Sequence, residues 1–378
     1  MKNKAPHIFI CAGEASGDTL GSLLAADLKQ HQPDIKLAGM GGDKMKAEGV
    51  DVVFPYDDIA VVGLIEVITH FSAIKKAYNT VKTYLLEQKP DLVVFIDYPG
   101  FNLRMAKVAK EAGIRVMYYV SPQIWAWKKG RIHHIKRYVD HMAVLFAFEK
   151  ELYESAGVPA SFVGHPLTHK VQASESPESL RTRFGLKPGQ KVIALLPGSR
   201  RGEIERLAPC MAATLSLLRK KHPSLQCVIP LAPTIDAKTL PAELQKHAKI
   251  VKGETYNALA VSDAAITASG TATLEVALMG VPMAIIYKVN LITYLIARLV
   301  VKISHIGLCN IITQREVAPE FIQFDMTPEK IAAYIDKLLS NESFHHTQKA
   351  GLEAVALQLK SKSETHTPAE VALSLVDH

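Results

Sequence analysis

The sequence predicts an α/β protein of two Rossmann-like domains facing each other across a cleft. Three observations predict it. Short apolar runs alternate with helix-length segments, the pattern of a parallel, doubly wound sheet. The alternation stops at a polar stretch, residues 169–190, and then restarts. The length, 378 residues, is more than one ordinary domain needs and suits two.

In the first half, strands are expected at 7–12 (HIFICA), 35–40, 91–97 (DLVVFID), 115–120 and 141–148, with helices between them at 18–30, 72–88 and 102–112. In the second half, strands are expected at 191–197 (KVIALLP), 225–230, 248–253, 263–268 and 281–287. The halves share an architecture but no usable sequence repeat. The expected domains are therefore 1–169 and 170–344. A helical segment, 345–378, ends without a strand and is expected to pack back on the first domain.

Composition narrows the class. A hydrophobic content of 48% with 21% charged residues is that of a soluble globular chain. The four cysteines, Cys11, Cys210, Cys227 and Cys309, lie far apart without a CxxC pair. That argues against a disulfide framework or a zinc site and fits a reducing cytoplasm. The first apolar run is too short for a signal-peptide core, and no 18-residue apolar stretch offers a membrane span. The formal charge of +7 favours anionic partners.

In open α/β sheets the chemistry sits beyond the carboxyl ends of the strands. After the first strand comes CAGEASGDTLG, which is neither GxGxxG nor a P-loop. Glu14, Ser16 and Asp18 bring polar groups to the cleft edge there. Asp18 also reads as a helix cap, whereas Glu14, beside a turn glycine, has no evident structural duty. In VVFIDYPGFN, four apolar residues lead into Asp97, and Pro99–Gly100 stop the strand. A half-buried aspartate at that point suits a general base, and Asn102 reads as the cap of the next helix. Both tryptophans fall in SPQIWAWKKGR, where Trp125 stands near Lys128 and Arg131. Aromatics among cations suit stacked bases and phosphates, or equally a sugar or lipid. His165, in FVGHPL, is a candidate site residue or a hydrogen-bonded hinge histidine.

The second half carries LLPGSRRGEIE. Small residues with Ser199 and Arg200 precede a helix expected to begin near Glu203, a setting that suits a diphosphate. In ITASGTATLE, Ser269, Gly270 and Thr271 open another helix, with Glu275 one turn on. A small-residue helix start suits phosphate, and the carboxylate suits ribose hydroxyls. Asn310, in GLCN, could read a nucleobase. Two unusually apolar stretches, 59–78 and 291–304, read as core, as acyl-chain contact or as shallow membrane docking. DxD, HExxH and GxSxG are all absent, so no metal, covalent serine or cofactor is expected.

The set GEASGD (13–18), FIDYPGFN (95–102), VSPQIWAWKKGR (120–131), VGHPL (163–167), LLPGSRRGEI (195–204) and ASGTATLE (268–275) resembles the lipid-A-disaccharide synthases in order and spacing. The resemblance covers roughly residues 8–320. It implies a GT-B fold and an inverting glycosyltransferase joining UDP-2,3-diacylglucosamine to the 6-hydroxyl of 2,3-diacylglucosamine 1-phosphate (lipid X). The implied products are a β-1,6 disaccharide 1-phosphate and UDP, made at the anionic cytoplasmic face of a Gram-negative inner membrane. It also implies Asp97 as base and a UDP site around Ser199, Arg200 and Glu275. Nucleic acid is not an expected partner, and a homodimer is left open. Where the family often has an aspartate after GHPL, this chain has Thr168 and His169. The competing readings are a UDP-N-acetylglucosamine 2-epimerase, which needs no lipid, and an RNA-binding protein, for which no RNP or KH signature is present.

Overall fold

The structure is a computed structural model, and it describes residues 5–59, 71–125, 130–300, 304–359 and 366–376. The chain forms two compact units, Met1–Gly164 with Ser361–His378, and His165–Lys360.

The first unit holds a seven-stranded parallel sheet. Its strands are β1 (His7–Ala12), β2 (Lys36–Gly41), β3 (Asp51–Pro55), β4 (Leu92–Ile96), β5 (Arg115–Tyr119), β6 (His141–Val144) and β7 (Ala160–Phe162). The spatial order is β3-β2-β1-β4-β5-β6-β7. Helices cover both faces of such a sheet, so its strands read as unbroken apolar runs. Every residue of β1 and β4 is buried. The order reverses between β1 and β4, which makes their carboxyl ends the topological switch point.

Several strands end sooner than the apolar pattern suggests. β4 stops at Ile96 because Asp97 and Tyr98 both turn left-handed, each with φ near +44°. The next helix starts at Pro99, whose fixed φ and missing N–H suit a first turn. β6 stops at Val144, and the helix Ala147–Ser155 takes the rest of that run. The edge strand β3 was not separable from its surroundings in the sequence, being short and partly exposed. At the far end of the chain, the helix Pro368–Val376 packs against Ala15–His31, β4 and β5. Arg115 Nη1 donates to the Leu375 carbonyl at 2.6 Å.

The second unit holds a six-stranded parallel sheet. Its strands are β8 (Val192–Leu196), β9 (Gln226–Leu231), β10 (Lys249–Lys252), β11 (Ala264–Ala268), β12 (Met283–Tyr287) and β13 (Glu320–Ile322), in the order β10-β9-β8-β11-β12-β13. The switch point falls between β8 and β11. The helix Arg201–Lys221 follows β8 and packs against Pro328–Ser340. All four cysteines are free. Among the described residues, no helix is long and apolar enough to cross a membrane.

Candidate active site

Beyond the switch point of each sheet lies a group of the candidate polar residues. In the first unit, Asp97 follows β4 and is half-buried. Its backbone is fixed from several sides. Its N–H donates to Tyr119 O at 3.0 Å, and its carbonyl accepts from Tyr118 Oη at 2.6 Å and Asn102 Nδ2 at 2.8 Å. Two consecutive non-glycine residues in the left-handed region are a local strain that the surroundings must hold in place. Burial pushes the Asp97 carboxyl up to about 6, the charge of Glu14 adds to the rise, and a hydrogen bond from the Tyr98 backbone offsets part of it. A carboxylate titrating near neutrality at a strand end is suited to accept a proton from a hydroxyl.

The neighbouring loop of β1 is shaped to fit. A Cβ on Gly13 would lie 2.3 Å from the Tyr98 ring, so the glycine lets that ring cross the β1 turn. Glu14 is exposed at the start of Ala15–His31, and Ser16 Oγ donates to its carboxylate. The strain continues after β5. Val120 has φ +71° and Gln123 φ +48°; a β-branched residue in that region is an outlier. Ser121 is bonded to Tyr153 Oη at 2.9 Å, and Trp125 Nε1 donates to the buried Glu149 at 3.0 Å. Burial raises the Glu149 carboxyl to about 7.

In the second unit, Ser199, Arg200 and Glu203 from the β8 loop and Ser269, Gly270, Thr271 and Glu275 from the β11 loop line one cavity of about 340 Å³. Gly198 has φ +107°, and the Glu203 carboxylate lies under it and accepts from the Ser199 N–H at 3.3 Å. Glu203 therefore braces the turn. Its helix begins two residues earlier than expected, at Arg201. The exposed Arg200 stands at its N-cap, where the first-turn amides have no intrahelical partner. Ser269 Oγ donates to the Ile306 carbonyl at 2.9 Å. Glu275 is half-buried and accepts from Tyr256 Oη at 3.0 Å, and burial raises its carboxyl. An arginine, helix-start amides and carboxylates in one cavity suit a sugar nucleotide.

Three expectations are corrected. Asp18 is not a contact for a ligand, nor a cap of its own helix. It is buried, and its carboxylate accepts from the N–H groups of Gly42 (2.7 Å), Lys44 (3.2 Å) and Met45 (3.2 Å), capping the helix Asp43–Ala47. Asn102 is not a cap but lies inside Pro99–Glu111, fully buried, and ties the β4 turn to β1. Asn310 does not face a nucleobase. It is fully buried, its oxygen accepts from Val317 and Ala318 N–H, and its amide donates to Ala318 O and Glu320.

Arg131 opens the helix Arg131–Tyr138. His165 is half-buried, accepts from Leu167 N–H at 3.2 Å, and is pushed down to about 4 by burial, which keeps it neutral. The expectations for Lys128, for residues 60–70 and 301–303, and for the side chain of His169 lie outside the described residues. Tyr118, Glu149 and Tyr256 carry no mark along the chain, because each acts through a partner distant in sequence. Tyr98 could have been noticed beside Asp97, since it adjoins it.

Two parallel, doubly wound sheets define the GT-B class, shared by glycosyltransferases and sugar-nucleotide epimerases. The glycosyltransferase of kitacinnamycin superposes with a TM-score of 0.64 at 15% identity, covering 99% of this chain and 98% of that one. The UDP-GlcNAc 2-epimerase of Neisseria meningitidis, solved bound to UDP-GlcNAc, gives 0.60 at 11%, covering 93% and 97%. At these identities the likeness shows the fold alone.

Sequence relatives go further. The family model for lipid-A-disaccharide synthetase matches residues 8–374. The lipid-A-disaccharide synthase of Coxiella burnetii (strain Dugway 5J108-111) is 45% identical over 376 residues, the full length of both chains. The chain belongs to the lipid-A-disaccharide synthetase family and is a glycosyltransferase.

Proposed function

We propose that the protein transfers 2,3-diacylglucosamine from UDP-2,3-diacylglucosamine to the 6-hydroxyl of 2,3-diacylglucosamine 1-phosphate. The products are the β-1,6-linked disaccharide 1-phosphate and UDP. The observation that carries this reading is Asp97, held in a strained turn with its carboxyl raised to about 6. The first unit takes the acceptor and supplies the base; the second takes the UDP-sugar. Asp97 accepts the 6-hydroxyl proton as that oxygen bonds to the anomeric carbon. The bond from that carbon to the diphosphate breaks, and the single displacement inverts the α-linked donor to a β product. Charge on the departing diphosphate is met by Arg200 and the first-turn amides of its helix. Glu275 accepts from ribose hydroxyls. The net charge of +7 favours work at the anionic cytoplasmic face of an inner membrane.

The test is UDP release with the donor alone and then with the acceptor added, for the native enzyme and Asp97→Asn, with and without EDTA. Release that needs the acceptor, is lost in the variant and is indifferent to EDTA is expected. Release without acceptor, accompanied by epimerised sugar, would replace the transferase reading with an epimerase one. An active variant would remove Asp97 from the chemistry.

A further inference from the structure

A second cavity, of about 370 Å³, lies in the first unit and is lined by Ile124, Trp125, Ile132, Leu152, Ser155 and Ala156. Its volume is in the range of ligand pockets. One wall is a stripe along the helix Ala147–Ser155. Leu152, Ser155 and Ala156 recur at the spacing that puts residues on one helix face. From Leu152 to Ala156 that stripe is about 6 Å long. Apart from Ser155, the side chains that line it are apolar.

Trp125 forms the other wall, and it is fixed in place. Its indole N–H is bonded to the buried Glu149, and its ring meets Phe148 edge-on at 5.6 Å, with Phe148 stacked on Phe146 at 5.8 Å. A ring tied at both its polar and apolar parts does not fall into the space beside it. The opposite face of the same helix turns inward through Tyr153, which meets Ser121. The cavity also has a charged neighbour. Ile132 follows Arg131, whose positive charge is felt at Tyr118, and Tyr118 holds the Asp97 carbonyl. An apolar cavity, a guanidinium and the candidate base thus belong to one neighbourhood. That combination matches an amphiphile with an anionic head and a hydrocarbon tail.

We propose that this cavity is the subsite for an acyl chain of the acceptor, with Trp125 as its wall and Arg131 drawing the phosphate. The proposal rests on the acceptor reading above, and its test separates the two. Trp127→Phe leaves Trp125 as the one indole, since the chain has two tryptophans. This protein is titrated, without donor, with diacylglucosamine 1-phosphate carrying a brominated acyl chain. Saturable quenching of Trp125 emission is expected, and Ala156→Phe, which fills the cavity, should abolish it. Ser155→Phe, at an exposed position, serves if Ala156→Phe does not fold.

In turnover, removing methylenes from the acceptor chain should raise its KM by up to about fourfold each in the native enzyme. The filled variant should lose that dependence while keeping its donor KM. Absence of quenching, or a chain-length dependence that survives filling, overturns the subsite. Saturable quenching by a lipid that the native enzyme does not glycosylate would uphold the subsite and overturn the acceptor reading instead.

Discussion

Replacing Asp97 by asparagine should make the protein more stable at alkaline pH while nearly abolishing its activity. In the fold the carboxyl titrates at about 6, against 3.8 for an unperturbed aspartate. The folded state therefore holds this proton more tightly than the unfolded chain does. The group's contribution to stability is complete below about pH 4 and is lost as pH rises through 6. Above that, the ionised carboxylate is a net cost of about 3 kcal/mol at 1.36 kcal/mol per pH unit. Because Asp97 is only half-buried, solvent screening reduces this to about 1–2 kcal/mol. Asparagine tolerates the left-handed backbone as well as aspartate does, so the turn itself should persist. Urea unfolding at pH 8 should then show the variant more stable by about 1–2 kcal/mol, with the gain shrinking towards pH 5. Activity should fall by about 10²–10⁴-fold, the usual worth of a general base. In the native enzyme, kcat/KM should drop about tenfold from its plateau at one pH unit below the base's pKa, near pH 5. A variant less stable at pH 8, or a native profile flat from pH 5 to 8, would refute the reasoning.

Three further outcomes are expected. Gly13→Ala should push the Tyr98 ring aside, destabilising the first unit by about 1–3 kcal/mol and lowering kcat, as read by thermal melts and UDP release; an unchanged melt would mean that the ring moves freely. Glu275→Gln should weaken UDP binding by about tenfold in calorimetry, since it exchanges a charged acceptor for a neutral one; unchanged affinity would take Glu275 out of the nucleotide site. Asn310→Ala should cost about 2–4 kcal/mol in denaturant unfolding, by stranding the buried groups that its side chain satisfies, yet leave the UDP-sugar KM unchanged below the melting temperature; a raised KM would restore its nucleotide role.

The strands and their parallel arrangement were legible because buried strands announce themselves as apolar runs. Asp97, Ser199 and Ser269 were legible for a related reason: each is polar where such a run gives way to a helix. What a side chain does once there was not legible when its partners lie far along the chain. Asp18 read as the cap of its own helix or a ligand contact, and Asn310 as a nucleobase contact. Asp18 instead caps a helix 24 residues on, and Asn310 secures a loop through buried bonds up to ten residues away. The left-handed turn at Asp97–Tyr98 was likewise hidden, since neither residue type demands it. It is imposed by the Tyr118 and Asn102 bonds to one carbonyl.

The helix Pro368–Val376, docked on β4 and β5, has a consequence for how the protein is made. Synthesis runs from the amino terminus, and domains fold largely as they emerge. The second unit can complete its core before the first, whose closing helix follows the whole of the second unit along the chain. Until it arrives, the apolar flank that it covers on the first unit stays open to water and to chaperones. A chain truncated after Leu359 would therefore join a finished second unit to an unfinished first one, and limited proteolysis should cut it preferentially in the amino-terminal half.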